Sequence, residues 1–167
     1  MNILVIGSGG REHSLAWKIA QSPLLDTLYV APGNGGMGNI ATCVDINASN
    51  HDEVVSFCRE KNIEFVVIGP EAPLVEGISD RLVAENIKTF GPSAAAAILE
   101  GSKGFTKDLC AKYDIPTAAY GRFEDPADAK EFVTRKGTPI VIKADGLAAG
   151  KGVIIAETID QANDAID

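Results

Sequence analysis

Gly7-Ser8-Gly9-Gly10-Arg11-Glu12-His13 places a tight glycine turn directly before a helical pattern. Open amides at a helix N-terminus, the positive end of the helix dipole and a guanidinium together make a site for a phosphate. Gly9, Gly10, Arg11 and His13 are therefore candidate ligands for an anionic substrate. A plainer alternative stays open, because any strand–helix turn can carry glycines beside a merely solvated arginine. The segment is not a dinucleotide fingerprint. The third glycine of G-x-G-x-x-G would fall on Glu12, and Val30 is followed by Ala31 and Pro32 where an acidic ribose ligand belongs. A nicotinamide enzyme is disfavoured.

Gly146-Leu147-Ala148-Ala149-Gly150-Lys151-Gly152 invites comparison with a P-loop and also departs from it. G-x-x-x-x-G-K-[ST] needs glycine at Asp145 and a hydroxyl at Gly152, and a helix after the loop where a strand is expected. A glycine-rich turn between antiparallel strands is instead a flap whose amides can fold over phosphates, with Lys143 as a point charge beneath it. An ordinary hairpin with exposed lysines is the alternative. Glu71, just after Gly69-Pro70, can accept a hydrogen bond from a sugar hydroxyl or amine, or simply compensate a helix dipole. His51 reads as an idle residue in the first turn of a surface helix, and Trp17 as partly exposed. No Ser-His-Asp or Cys-His arrangement is present.

The elements that must position these residues alternate strand and helix. Ile3 to Ile6 reads as a strand buried on both faces, followed by a helix with Leu15, Ala16, Ile19 and Ala20 on one side. Leu28 to Val30 forms a second strand. Asn50 caps a helix that turns Val54, Val55 and Cys58 inward. Phe65 to Ile68, a helix carrying Val75, Ile78 and Leu82, and a strand at Lys88 to Phe90 complete the series. Alternation of this kind gives βαβ units and a parallel sheet. Four strands end in glycine loops at Gly7, Gly33, Gly69 and Gly91. All carboxyl ends of a parallel sheet share one edge, so these loops line one crevice, where open α/β sheets bind ligands. Gly33 and Asn34 of the second loop join the candidate substrate contacts.

Beyond Phe90 the texture changes. Helices are expected over Ala94 to Leu99, Lys103 to Tyr113 and Pro126 to Arg135. A hairpin of Ile140 to Lys143 and Val153 to Ala156 follows, then a helix with Ile159, Ala162 and Ile166 on one face.

The 167 residues carry 15 Lys and Arg against 23 Asp and Glu, a net charge of −8. Nucleic acid is a poor partner for such a chain, and any anionic ligand must be held by a local pocket. Cys43, Cys58 and Cys110 show neither zinc spacing nor an even count, which fits idle thiols in a reducing cytoplasm. No apolar stretch reaches the length of a membrane span, and the N-terminus reads as a strand rather than a signal peptide.

Five motifs, in order along the chain, carry a specific likeness: Ile6 to Trp17, Ala31 to Gly36, Gly69 to Leu74, Glu100-Gly101-Ser102-Lys103, and Lys143 to Gly152. Together they resemble the phosphoribosylamine–glycine ligase family of the ATP-grasp superfamily. The resemblance implies an α/β fold: a parallel-sheet, Rossmann-like pre-ATP-grasp domain over residues 1–102, then the first part of an ATP-grasp domain over 103–167. It implies ATP-dependent joining of 5-phosphoribosylamine and glycine to glycinamide ribonucleotide in de novo purine synthesis, through a glycyl phosphate. The N-terminal domain would bind the phosphoribosyl substrate through the crevice residues. Lys103 and Lys143 would contact ATP, with Gly150, Lys151 and Gly152 in the covering flap. The Mg2+ or Mn2+ ligands are expected beyond Asp167, with no metal site in this chain, so the chain by itself is expected to be an inactive fragment. The rival reading is a non-catalytic phosphate-ligand module that works with a partner chain.

Overall fold

The β-branched run at the N-terminus becomes β1 (Asn2–Gly7), and its neighbours set the plan of everything before Leu99. In the computed structural model, which describes residues 1–148 and 152–167, α1 (Gly10–Ile19) follows β1 and β2 (Thr27–Pro32) lies parallel beside it. A 3-10 turn (Met37–Asn39) and the two-residue β3 (Thr42–Cys43) come next. Then come α2 (His51–Glu60), β4 (Ile63–Ile68), α3 (Glu71–Val75), α4 (Ile78–Ala84) and β5 (Lys88–Phe90). The five strands form one parallel sheet in the order β3-β2-β1-β4-β5. After β1 the chain builds outward to β2 and β3, then returns to the other side of β1 for β4. The order thus reverses between β1 and β4, which makes their carboxyl ends the topological switch point.

Alternate residues of the central strands feed two core layers, as the pleat requires. Leu4, Ile6 and Val66 pack with Val54, Val55, Cys58, Ile78 and Leu82 from α2 and α4. Ile3, Val5 and Val30 pack with Ala16 of α1 and with Met37 on the other face. Asn50 caps α2 as expected, its side chain accepting from the Glu53 amide at 3.3 Å.

Two expectations need correction, and one strand was not foreseen. Leu15 is 37% exposed, because Glu12 and Ala16, one helical turn apart, are the residues α1 turns to the sheet. The helix expected through Val75, Ile78 and Leu82 is two helices, broken at Gly77, whose φ of +95° ends α3. Strand β3 is too short to leave a periodic signal.

The second unit, Leu99–Asp167, begins inside α5 (Ala94–Gly101). It holds α6 (Lys103–Lys112), α7 (Pro126–Lys136), the antiparallel pair β6 (Ile140–Lys143) and β7 (Val153–Ala156), and α8 (Ile159–Ile166). Val133, Ala156 and Ala162 form its small core, with Ile140, Ile142, Ile159 and Ile166 packed on them. Thr158 and Gln161 close α8 with a reciprocal capping box.

Candidate functional site

The loops after β2 and β4 are tied directly to the end of β1. The Gly33 amide donates to the Gly7 carbonyl at 3.2 Å, and the Gly69 amide donates to Ile6 at 3.0 Å. Three glycine loops thereby meet at the switch point, as parallel strand ends must.

Glu12 occupies their centre. It is 4% exposed, and its carboxylate lies where Cβ atoms on Gly7, Gly9 and Gly69 would come within 2.4, 2.8 and 2.3 Å of its side chain. The three glycines are the space it fills. The Gly9 amide donates to Glu12 Oε2 at 2.8 Å, and Arg11 Nε donates to Oε1 at 2.6 Å. Arg11 Nη2 also donates to the Gly69 carbonyl, so the guanidinium spans the ends of β1 and β4. Burial pushes the Glu12 carboxyl upward, but the Arg11 guanidinium and the Gly9 amide outweigh it and hold the group below its ordinary value.

These contacts revise the anion site. The Gly9 amide is not open to a ligand, because Glu12 already takes it. Gly10 keeps open space around it, with nothing within 4 Å of a Cβ built there. Arg11 remains 62% exposed while two of its N–H groups are engaged. His13 sits against the second loop, where a Cβ on Gly36 would lie 2.5 Å from its Cε1. Asn34 acts as a brace between loops. Its Nδ2 donates to the Ser8 carbonyl at 2.8 Å, and its Oδ1 accepts from the Gly36 and Met37 amides at 2.9 and 3.3 Å. Gly33 has φ +73°, and a Cβ there would meet Val30 at 2.6 Å, so the turn requires glycine. Glu71 is exposed at the first position of α3.

In the second unit the pivot is Asp145. Its carboxylate accepts from Ser102 Oγ at 2.9 Å, from the Gly104 amide at 3.2 Å and from the Gly146 amide at 2.9 Å. Arg122 lies 3.4 Å away. Burial raises the Asp145 carboxyl, but the surrounding amides and the Ser102 hydroxyl outweigh it and leave it below its ordinary value. Lys103 Nζ donates to the Gly146 carbonyl at 2.6 Å, which ties α6 to the loop after β6. Lys143 ends β6 opposite Val153 and is exposed. The Ala144 amide donates to the Gly152 carbonyl at 2.9 Å, closing the base of that loop. Gly150 and Lys151 lie outside the described residues.

Glu12 and Asp145 organise the candidate sites, and sequence reasoning missed both. Glu12 had a readable signal, since Gly9-x-x-Glu12 is half of a capping box. Asp145 had none, because Gly104 and Ser102, which it joins, lie 41 and 43 positions away. Among the described residues, no group of three or more His, Cys, Asp or Glu fits a metal ion. Cys43, Cys58 and Cys110 are free thiols, and burial pushes Cys58 up to about 11. No described helix is long and apolar enough to cross a membrane.

Comparison with known proteins agrees with the ordered motifs. The chain is 66% identical over 167 residues to a phosphoribosylamine–glycine ligase of Mesorhizobium japonicum, covering all of this chain and 39% of that protein. It is 64% identical to one from Rhizobium meliloti, covering 40% of it. The chain thus spans about two fifths of these relatives' length. A solved phosphoribosylamine–glycine ligase from Thermotoga maritima superposes with a TM-score of 0.76 at 31% identity, over 98% of this chain and 38% of that one. An N5-carboxyaminoimidazole ribonucleotide synthetase from the same organism shares the fold, with a TM-score of 0.72 at 22% identity over 99% of this chain and 43% of its own. The phosphoribosylglycinamide synthetase N-domain model matches residues 1–100, and the ATP-grasp (A) domain model of the same family matches residues 101–167. The chain belongs to the phosphoribosylglycinamide synthetase family.

Proposed function

We propose that the protein acts as a phosphoribosylamine–glycine ligase, making glycinamide ribonucleotide, ADP and phosphate from 5-phosphoribosylamine, glycine and ATP in the cytoplasm. The observation that carries this reading is the 66% identity to a curated ligase across the whole chain. A carboxylate oxygen of glycine attacks the γ-phosphorus of ATP, giving glycyl phosphate and ADP. The amine of phosphoribosylamine then attacks the acyl carbon, loses a proton and expels phosphate.

Each unit supplies groups suited to one part of this chemistry. At the β1/β4 switch point, Arg11 and Gly10 hold the 5-phosphate of the ribosyl substrate, a charge-assisted contact at a helix N-terminus. His13, Gly33 and Asn34 shape the same edge, and Glu71 takes a sugar hydroxyl. Gly9 contributes through its bond to Glu12. In the second unit, Lys103 and Lys143 lie against nucleotide phosphates, and the loop from Ala144 to Gly152, with Gly150 and Lys151, covers them. We set the boundary between the phosphoribosyl and nucleotide portions at residues 102 and 103. The family resemblance also implies Mg2+ or Mn2+, which would neutralise nucleotide phosphate charge; the described residues do not form its site, and no step here runs through it.

The test is product formation by the full-length protein. Amide product should require all three substrates and appear with one ADP for each molecule formed. Hydrolysis of ATP that glycine and phosphoribosylamine leave unchanged, with no amide product, would refute the reading.

A further inference from the structure

We propose that Glu12 is a positioning residue, whose buried carboxylate aims the Arg11 guanidinium at the β1/β4 edge and so sets how tightly that edge binds a phosphate monoester. The proposal rests on the reading of this edge as the phosphoribosyl site and deepens it. Burying a carboxylate is unfavourable unless its oxygens are paired. Here both are, one by the Gly9 amide and one by Arg11 Nε. Glycine at 7, 9 and 69 is what makes room for the group, since a Cβ at any of them would collide with it. These three residues come from the ends of both strands at the switch point, so the pocket for the Glu12 carboxylate is itself a product of the fold.

The consequence falls on Arg11. A guanidinium has five N–H donors in a rigid planar fork. Among the described residues, Glu12 takes the Nε donor and the Gly69 carbonyl takes one on Nη2. Two fixed contacts on a planar group define its plane and direction. The remaining donors then project from a side chain that is 62% exposed. An arginine without this anchor would have to be ordered by the ligand, at the ligand's expense in affinity. A second effect opposes the first, because the carboxylate partly neutralises the charge a phosphate seeks. Orientation and charge therefore predict opposite signs for removing Glu12, and we assign the larger effect to orientation.

Ribose 5-phosphate, titrated calorimetrically onto the full-length protein, decides between them. E12Q keeps the side chain's shape and removes its charge. It should weaken ribose 5-phosphate binding roughly tenfold, the scale of a charge-assisted hydrogen bond. In an R11A background the same change should add nothing, because a residue that acts only through Arg11 cannot be lost twice. A purely structural role would instead weaken binding equally in both backgrounds, and that result overturns the proposal. So does E12Q binding as tightly as the unaltered protein, or more tightly. If E12Q does not fold, G69A serves, since it retains Glu12 and Arg11 while placing a methyl 2.3 Å from the carboxylate; unchanged affinity there also overturns the proposal. Unchanged affinity in R11A alone refutes the phosphoribosyl reading of the edge and the proposal with it. A loss in R11A without one in E12Q refutes only the proposal.

Discussion

Two carboxylates, Glu12 and Asp145, organise the two candidate sites, and donors from the surrounding fold hold both below their ordinary values. For Glu12 this has a consequence for acid stability. Its folded-state pKa lies below the ordinary 4.5, so the group contributes stability that is present above that value and is lost as pH falls through the folded one. Urea unfolding at a series of pH values should therefore show the stability gap between the unaltered protein and Glu12→Gln narrowing below pH 4.5. Parallel profiles would contradict it. Lys143 tests the other unit, because it ends β6 exposed at the base of the glycine loop. Lys143→Met in the full-length protein should weaken ATP binding while circular dichroism stays unchanged; equal nucleotide affinity by calorimetry would remove it from the site. The candidate ligands Arg11 and Lys143 were readable from residue type and glycine context. What context could not show was that Gly69, far along the chain, completes the Glu12 pocket.

At the scale of elements, local signals were strongest where one physical cause dominated. The hairpin strands at Ile140–Lys143 and Val153–Ala156 and the helix at Ile159–Ile166 have the bounds their patterns imply, since a short β-branched run and a capping box act within a few residues. Signals failed where a single backbone angle or a distant partner decided the outcome. Gly77, at φ +95°, splits a run whose apolar spacing continues straight through it. Leu15 lost the inner face of α1 to Glu12, a charged residue that no apolar pattern would turn toward a sheet. The cap on α2 offers a clean check. Asn50→Ala removes the acceptor for the Glu53 amide and should lower stability by about 1 kcal/mol. Thermal unfolding with an unchanged midpoint would show that the cap contributes nothing.

For the whole molecule, the parallel sheet and its glycine-ended strands were legible because alternation and loop position follow from chain order alone. The switch point was not, since it depends on β4 returning beside β1 rather than continuing past β3. That return brings Arg11 and the Gly69 carbonyl together at the β1/β4 edge. Arg11 at this edge is the proposed holder of the substrate's 5-phosphate. Steady-state kinetics of Arg11→Ala in the full-length protein is the direct test. The Michaelis constant for phosphoribosylamine should rise roughly tenfold or more, with that for ATP changed far less. An unchanged constant for phosphoribosylamine would contradict it.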